Sequence, residues 1–238
     1  MSFNNALAAL LVTISGAALA EPNPDTKPVK LAELYVTPYY DSGNSPFSDR
    51  RQVHVGKDFD PLLVSDRLED VLKARDLVLA QPDLVTPMTM MVLAARLYDL
   101  GQRDDAVFWF YVAKNRYITL MDVIDIQSSG LSEPAQAMNS FHELLGPIIN
   151  SYAFCNIANQ QAIRRRAFDW AKAHAYQAIF LSQLTASEGG DRKVALERSY
   201  ASIAEGMAKE SAYLADPKNA TEILETRRKN HVIEQFCW

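Results

Sequence analysis

Apolar residues recur at spacings of three and four from Leu62 onward and show no such period before it. That change separates an irregular N-terminal part from a long helical one. Over 63–80, Leu68, Val71, Leu72, Ala74 and Val78 mark one helix face, and Pro82 ends the run. The next start is sharper. Thr86 is a suitable N-cap, Pro87 fits the first helical position, and Val85 can staple across to Met90. The helix runs through Met90, Leu93, Ala94 and Leu97 and is expected to stop at Gly101, where a left-handed conformation costs least. A second helix is predicted from Arg103 to Ile118. Its apolar residues are not confined to the face of Ala106, Phe110, Ala113 and Tyr117, because Val107, Trp109 and Val112 lie on other sides. Such a helix belongs between neighbours, and so tight a link makes the pair an antiparallel hairpin.

Further helices are predicted over 133–157, 160–183, 191–214 and 217–229, divided by Ser128–Gly130, Ser187–Asp191 and Asp216–Pro217. Pro147 is expected to kink or divide the first of them. Residues 21–62 are rich in Pro, Asp, Ser and Gly, with one alternating stretch, Val29–Val36, suited to a short strand. The expected fold class is all-α, a helical-hairpin array with a short extended N-terminal arm. The alternative is a mixed α+β fold that uses the arm as a sheet.

Residues 1–20 read differently again. The apolar run Ala6–Ala20 is shorter than the roughly 20 residues a spanning helix needs, it ends in Ala18-Leu19-Ala20, and polar, proline-bearing sequence follows. This is the layout of a secretory signal peptide cleaved after Ala20, although no Lys or Arg precedes the apolar run, and an uncleaved anchor is the alternative. The expected organisation is signal peptide 1–20, extended arm 21–62 and helical domain 63–238, with the periplasm as the compartment.

Composition narrows the partners. With 24 Lys and Arg against 29 Asp and Glu, the net charge is −5, which argues against nucleic acid and against an anionic membrane. No second long apolar run follows residue 20, and residue 21 is Glu rather than a lipidated Cys, so membrane association is expected to be peripheral at most. The basic run Arg164–Arg166 reads as a solvated helix face, with a site for an acidic partner as the other reading. In an oxidising compartment the two cysteines, Cys155 and Cys237, are expected to pair and staple the C-terminus to the core; two separate buried thiols are the alternative.

Within 87–118 the residues Ala94, Leu97, Gly101, Ala106, Phe110 and Ala113 stand at the mutual spacing of small, large, turn-glycine, small, aromatic and small positions. This hairpin resembles a tetratricopeptide or Sel1-like repeat, and Ala106–Ala113 is similar to the second helix of a Sel1-like unit. Ala167-Phe168-Asp169-Trp170 echoes Ala106–Trp109 without a glycine turn before it, and a generic helical hairpin accounts for the same residues. The whole layout, with export signal, extended arm, repeat-like body and C-terminal staple, resembles periplasmic immunity proteins that neutralise effectors of type VI secretion systems. That resemblance implies stoichiometric binding that occludes a toxin.

Motifs that carry chemistry are incomplete. His142-Glu143-Leu144-Leu145-Gly146 begins like a zinc-protease helix but has Gly146 where the second histidine ligand must stand. His54, His174 and His231 lack ligand spacing, and no nucleophile elbow or phosphate-binding glycine loop occurs. No catalytic residue, metal or cofactor is expected. Candidate partner contacts are Tyr35, Tyr39 and Tyr40 in the arm, Met88 and Met91 at the start of the repeat-like helix, and Glu188 and Asp191 in the acidic loop. Core packing is the other reading for the methionines, and a plain solvated turn for the loop. The sequence thus points to an exported, monomeric or weakly dimeric protein that binds another protein, most specifically as an immunity protein. The alternative is a cell-envelope scaffold or assembly factor whose helical groove holds a partner peptide.

Overall fold

A computed structural model describes Gly56, residues 58–187 and 190–238, and the backbone of two short strands. Those strands, β1 (Tyr39–Tyr40) and β2 (Arg51–Gln52), pair antiparallel with Tyr39 opposite Gln52. The expected signal peptide 1–20 and most of the expected arm 21–62 lie outside the described residues.

From residue 60 on the described chain is all-α, with nine helices. They are α1 (Asp60–Leu63), α2 (Leu68–Ala80), α3 (Pro87–Asp99), α4 (Arg103–Val123), α5 (Ser132–Ala153), α6 (Ile157–Ala173), α7 (Arg192–Ala215), α8 (Pro217–Lys229) and α9 (Val232–Phe236). Local chemistry explains the start and end of α3. Thr86 Oγ1 accepts from the Thr89 amide at 3.1 Å, and Pro87 occupies the first turn. At the other end Gly101 has φ +79°, its amide bonds the Tyr98 carbonyl at 3.1 Å, and the Gln102 amide bonds that of Leu97 at 2.8 Å. This paired closure of the last carbonyls lets α4 fold straight back on α3.

Several expected boundaries moved. The helix expected over 63–80 starts at Leu68, after the short α1 that ends at Leu63, α4 extends five residues beyond Ile118, and Pro147 sits inside an undivided α5. Asn156 Oδ1 caps α6 by accepting from the Asn159 amide at 3.0 Å, so the break between α5 and α6 is an N-cap that periodicity did not reveal. The predicted 160–183 helix stops at Ala173, because the His174 carbonyl is taken by a buried arginine from α4.

That arginine, Arg116, is 2% exposed and touches three separate segments. Its guanidinium donates to the carbonyls of Pro82 (2.7 Å), Val85 (2.7 Å) and His174 (2.5 Å). Trp170 and Tyr176 present their rings to it at 5.7 and 5.5 Å. Burial pulls its pKa down to about 10, so it stays charged at ordinary pH. Arg192 gathers another irregular stretch in the same manner, donating to the carbonyls of Ile179, Leu181 and Leu184.

α4 is the hub, in contact with α3, α5, α6 and α7. The main apolar cluster surrounds it, including Met90, Leu93, Leu97, Phe110, Phe141 and Leu145. A smaller cluster of Val123, Ile124, Phe168, Ile179, Leu196 and Tyr200 lies at its C-terminal end. His142 of α5 stacks on Phe110, with ring centroids 5.7 Å apart and planes 13° from parallel. Burial, with Lys114 adding to it, pulls the His142 pKa down to about 4, so the ring is neutral in the fold.

The C-terminus is attached by other means. Neither α8 nor α9 contains a buried residue, so the roughly 1.5–3 kcal/mol that each fully enclosed apolar side chain contributes is missing there. Cys155 and Cys237 are joined, with Cα atoms 5.4 Å apart and a sequence separation of 82, a closure worth about 4.5 kcal/mol in the loop-entropy picture. Arg227 donates to the Ser151 carbonyl at 2.6 Å and lies 3.4 Å from both sulfurs. Arg103 donates to the Trp238 carbonyl at 2.7 Å and lies 3.8 Å from its ring centroid.

Three outcomes test this picture. Replacing Arg116 by Ala leaves three interior carbonyls without a donor and is expected to cost about 3–5 kcal/mol in urea unfolding, whereas a loss under about 1 kcal/mol would show that water replaces it. Acidification from pH 6.5 towards 4 is expected to destabilise the protein. The unfolded chain takes up the His142 proton near the ordinary value while the fold refuses it down to about 4, so His142→Phe should flatten that part of the stability profile. Reduction of the disulfide, or Cys237→Ser, should make trypsin cut after Arg227, Arg228 or Lys229 at least tenfold faster while the helices before α8 survive as a resistant fragment. Simultaneous loss of the whole chain would mean that the bond holds the core rather than the C-terminal segment.

Candidate functional site

Four helices bring polar side chains together beside the hub. α4 carries Tyr111 and Lys114, α5 carries Asn150, α6 carries Gln160 and Arg164, and α7 carries Glu210. The Tyr111 hydroxyl donates to Asn150 Oδ1 at 3.0 Å and accepts from Gln160 Nε2 at 3.1 Å. Gln160 Nε2 also donates to Glu210 Oε1 at 3.2 Å, and Arg164 pairs with Glu210 Oε2. Both oxygens of the one carboxylate are therefore engaged. Gln160 is 1% exposed and its own Oε1 has no hydrogen-bond partner.

The electrostatics follow from burial. Desolvation pushes the Tyr111 hydroxyl up to about 12, against the opposing pull of the Gln160 bond. It also lowers the Lys114 pKa, helped by Arg164 and opposed by Glu210. Tyr111 therefore stays protonated and serves as a relay of hydrogen bonds rather than as an acid or base.

Over this network α6 and α7 diverge into a pocket of about 330 Å³. Ala158, Gln161, Ala162 and Arg165 share one face of α6 at the spacing of adjacent turns, and Met207, Glu210 and Ser211 face them from α7. The two alanines keep the space open. Hydrogen-bond donors line it: Arg164, Arg165, Gln161 and Ser211 against a single carboxylate. Such a lining suits binding of a negatively charged or carbonyl-bearing group. Among the described residues no three His, Cys, Asp or Glu side chains gather to hold a metal, and no helix is long and apolar enough to cross a membrane.

The residues singled out from sequence are distributed elsewhere. Tyr35 and Glu188 lie outside the described residues, as do the side chains of Tyr39 and Tyr40. Met91 is 0% exposed, so its reading as a groove residue is corrected to core packing, whereas Met88 is half-buried against the main cluster. Asp191 is the N-cap of α7, its Oδ1 accepting from the amides of Lys193 (2.9 Å) and Val194 (3.2 Å), and the residue is exposed. Ala94, Leu97, Ala106, Phe110 and Ala113 are each fully enclosed. The run Arg164–Arg166 separates into three roles: Arg164 pairs with Glu210, Arg165 lines the pocket, and Arg166 lies 5.4 Å from the Phe108 ring centroid. Gln160 and Glu210 escaped sequence reasoning because partners about 50 residues apart leave no local pattern.

No family profile and no solved structure matches the chain. A protein of Haemophilus influenzae, described as uncharacterized, is 35% identical to it over 212 residues, which cover 89% of this chain and 81% of that protein. Identity at that level along nearly the whole length reflects common descent, and the chain belongs to the same family as the Haemophilus influenzae protein.

Proposed function

We propose that the protein is exported to the periplasm, loses its signal peptide after Ala20, and works there as a monomer or weak dimer that binds another protein through the α6–α7 pocket. One observation carries this reading. The facing sides of α6 and α7 offer small and donor-bearing residues that the protein's own fold leaves unfilled, on a floor held rigid by the Tyr111–Gln160–Glu210 network. Rigid presentation of a few polar groups lowers the ordering cost of association. The Cys155–Cys237 bond is consistent with an oxidising compartment. In this proposal the hairpin of α3 and α4 is a single tetratricopeptide- or Sel1-like unit used as a spine. The most specific form is an immunity protein that neutralises a secreted antibacterial effector by stoichiometric binding.

A second face supports the alternative of an envelope scaffold. The short turns Pro82–Leu84 and Gln177–Phe180 touch each other and leave Leu84 65% and Leu181 50% exposed, apolar surface that lies outside the pocket.

A photo-activated cross-linking residue at position 162, with position 84 as the comparison, tests both. Cross-linking from 162 to one protein that then forms a one-to-one complex at micromolar concentration or below is the expected result, and no adduct at 162 overturns the pocket as the binding face. Arrest of cells that make the captured protein alone, relieved when this protein is made with it, is the outcome expected for immunity. Unaffected growth together with adducts at both positions favours the scaffold.

A further inference from the structure

We infer that the α6–α7 pocket is a carboxylate-binding site, filled by an acidic side chain of a protein partner. The inference rests on the proposed binding role and names the chemistry that would be recognised.

The charge count at the site does not close. Lys114, Arg164 and Arg165 bring three cations to the neighbourhood of one carboxylate, Glu210, in a protein whose net charge is −5. Glu210 is fully committed, one oxygen to Gln160 and the other to Arg164. Arg165 and Lys114 make no ion pair or hydrogen bond among the described residues, and the same holds for Gln161 and Ser211. The pocket therefore assembles donors from two helices that the fold itself does not use. An acceptor-only group is what such a lining lacks.

Size and shape narrow the anion. A space of about 330 Å³ takes a side chain and its flanking backbone but not a folded element. A carboxylate accepts from donors such as the fork of Arg165, Gln161 and Ser211, and Met207, which is 7% exposed, supplies an apolar wall of the same pocket for its methylene stem. Glu210 inside the same pocket repels a phosphate dianion more than a monoanion. An acidic segment of a protein is thus favoured over free phosphate.

Fluorescence anisotropy of a labelled hexaglutamate peptide with the intact protein tests this, with inorganic phosphate as competitor. Saturable binding is expected, weakened at least tenfold by Arg165→Glu and by raising salt from about 50 to 300 mM. Glu210→Gln, which frees Arg164, should tighten it severalfold. Arg165 is exposed, so an unchanged melting curve for its variant will separate lost binding from lost folding. Peptide binding that ignores Arg165→Glu overturns the site, and so does its absence. Displacement by phosphate at equal or lower concentration than the peptide overturns the choice of carboxylate. If hexaglutamate fails while position 162 still cross-links to a protein, the binding role stands and only the carboxylate chemistry falls.

Discussion

A guanidinium buried without a carboxylate in contact holds this fold in register. Arg116 rises from the middle of the central helix and satisfies the carbonyls of Pro82, Val85 and His174, which terminate or connect three different helices. Backbone carbonyls in the interior must find donors, and one planar group with five N–H bonds can serve several at once. The charge is tolerated because those carbonyl dipoles and the Trp170 and Tyr176 rings replace the water it loses. The link before α3 and the end of α6 are thereby held by one residue.

From that constraint the remaining packing follows. α4 is apolar on most of its circumference and accepts neighbours all round, so α6 and α7, distant in sequence, close on it alongside α3 and α5. In a stacked solenoid each unit meets only its neighbours along the chain. Here α4 instead crosses to helices far beyond its own hairpin, and it is this closure that lays Tyr111 and Lys114 against Gln160 and Glu210. The polar network and the pocket above it are consequences of the hub. The C-terminal segment stands apart, attached by a covalent bond and two arginines rather than by burial.

Elements with local signals were legible in the residues themselves. The hairpin of α3 and α4 carries its own N-cap at Thr86, its own helix start at Pro87 and its own reversal at Gly101, and each acts within a few residues. The starts of α7 and α8 at Asp191 and Asp216 are equally local. The end of α6 was not legible, because nothing near Ala173 stops a helix until Arg116 reaches the His174 carbonyl. Met91 was ambiguous in sequence, since the same adaptable thioether serves a groove or a core, and only its complete enclosure decides. Arg164–Arg166 looked like a uniform basic face and became three roles, because helical rotation turns each side chain towards a different neighbour.

By itself the sequence determined the all-α class, the hairpin of α3 and α4, and the two cysteines available to each other, since caps, periods and composition act over short range. Tertiary structure alone decided which helices surround α4, where α6 ends, and that Arg165, Glu210 and Ser211 share one pocket. The physical reason is distance along the chain. A hydrogen bond such as that from Gln160 to Glu210 joins residues 50 positions apart, and its partners become neighbours only after the apolar faces of four helices have closed around the same spine.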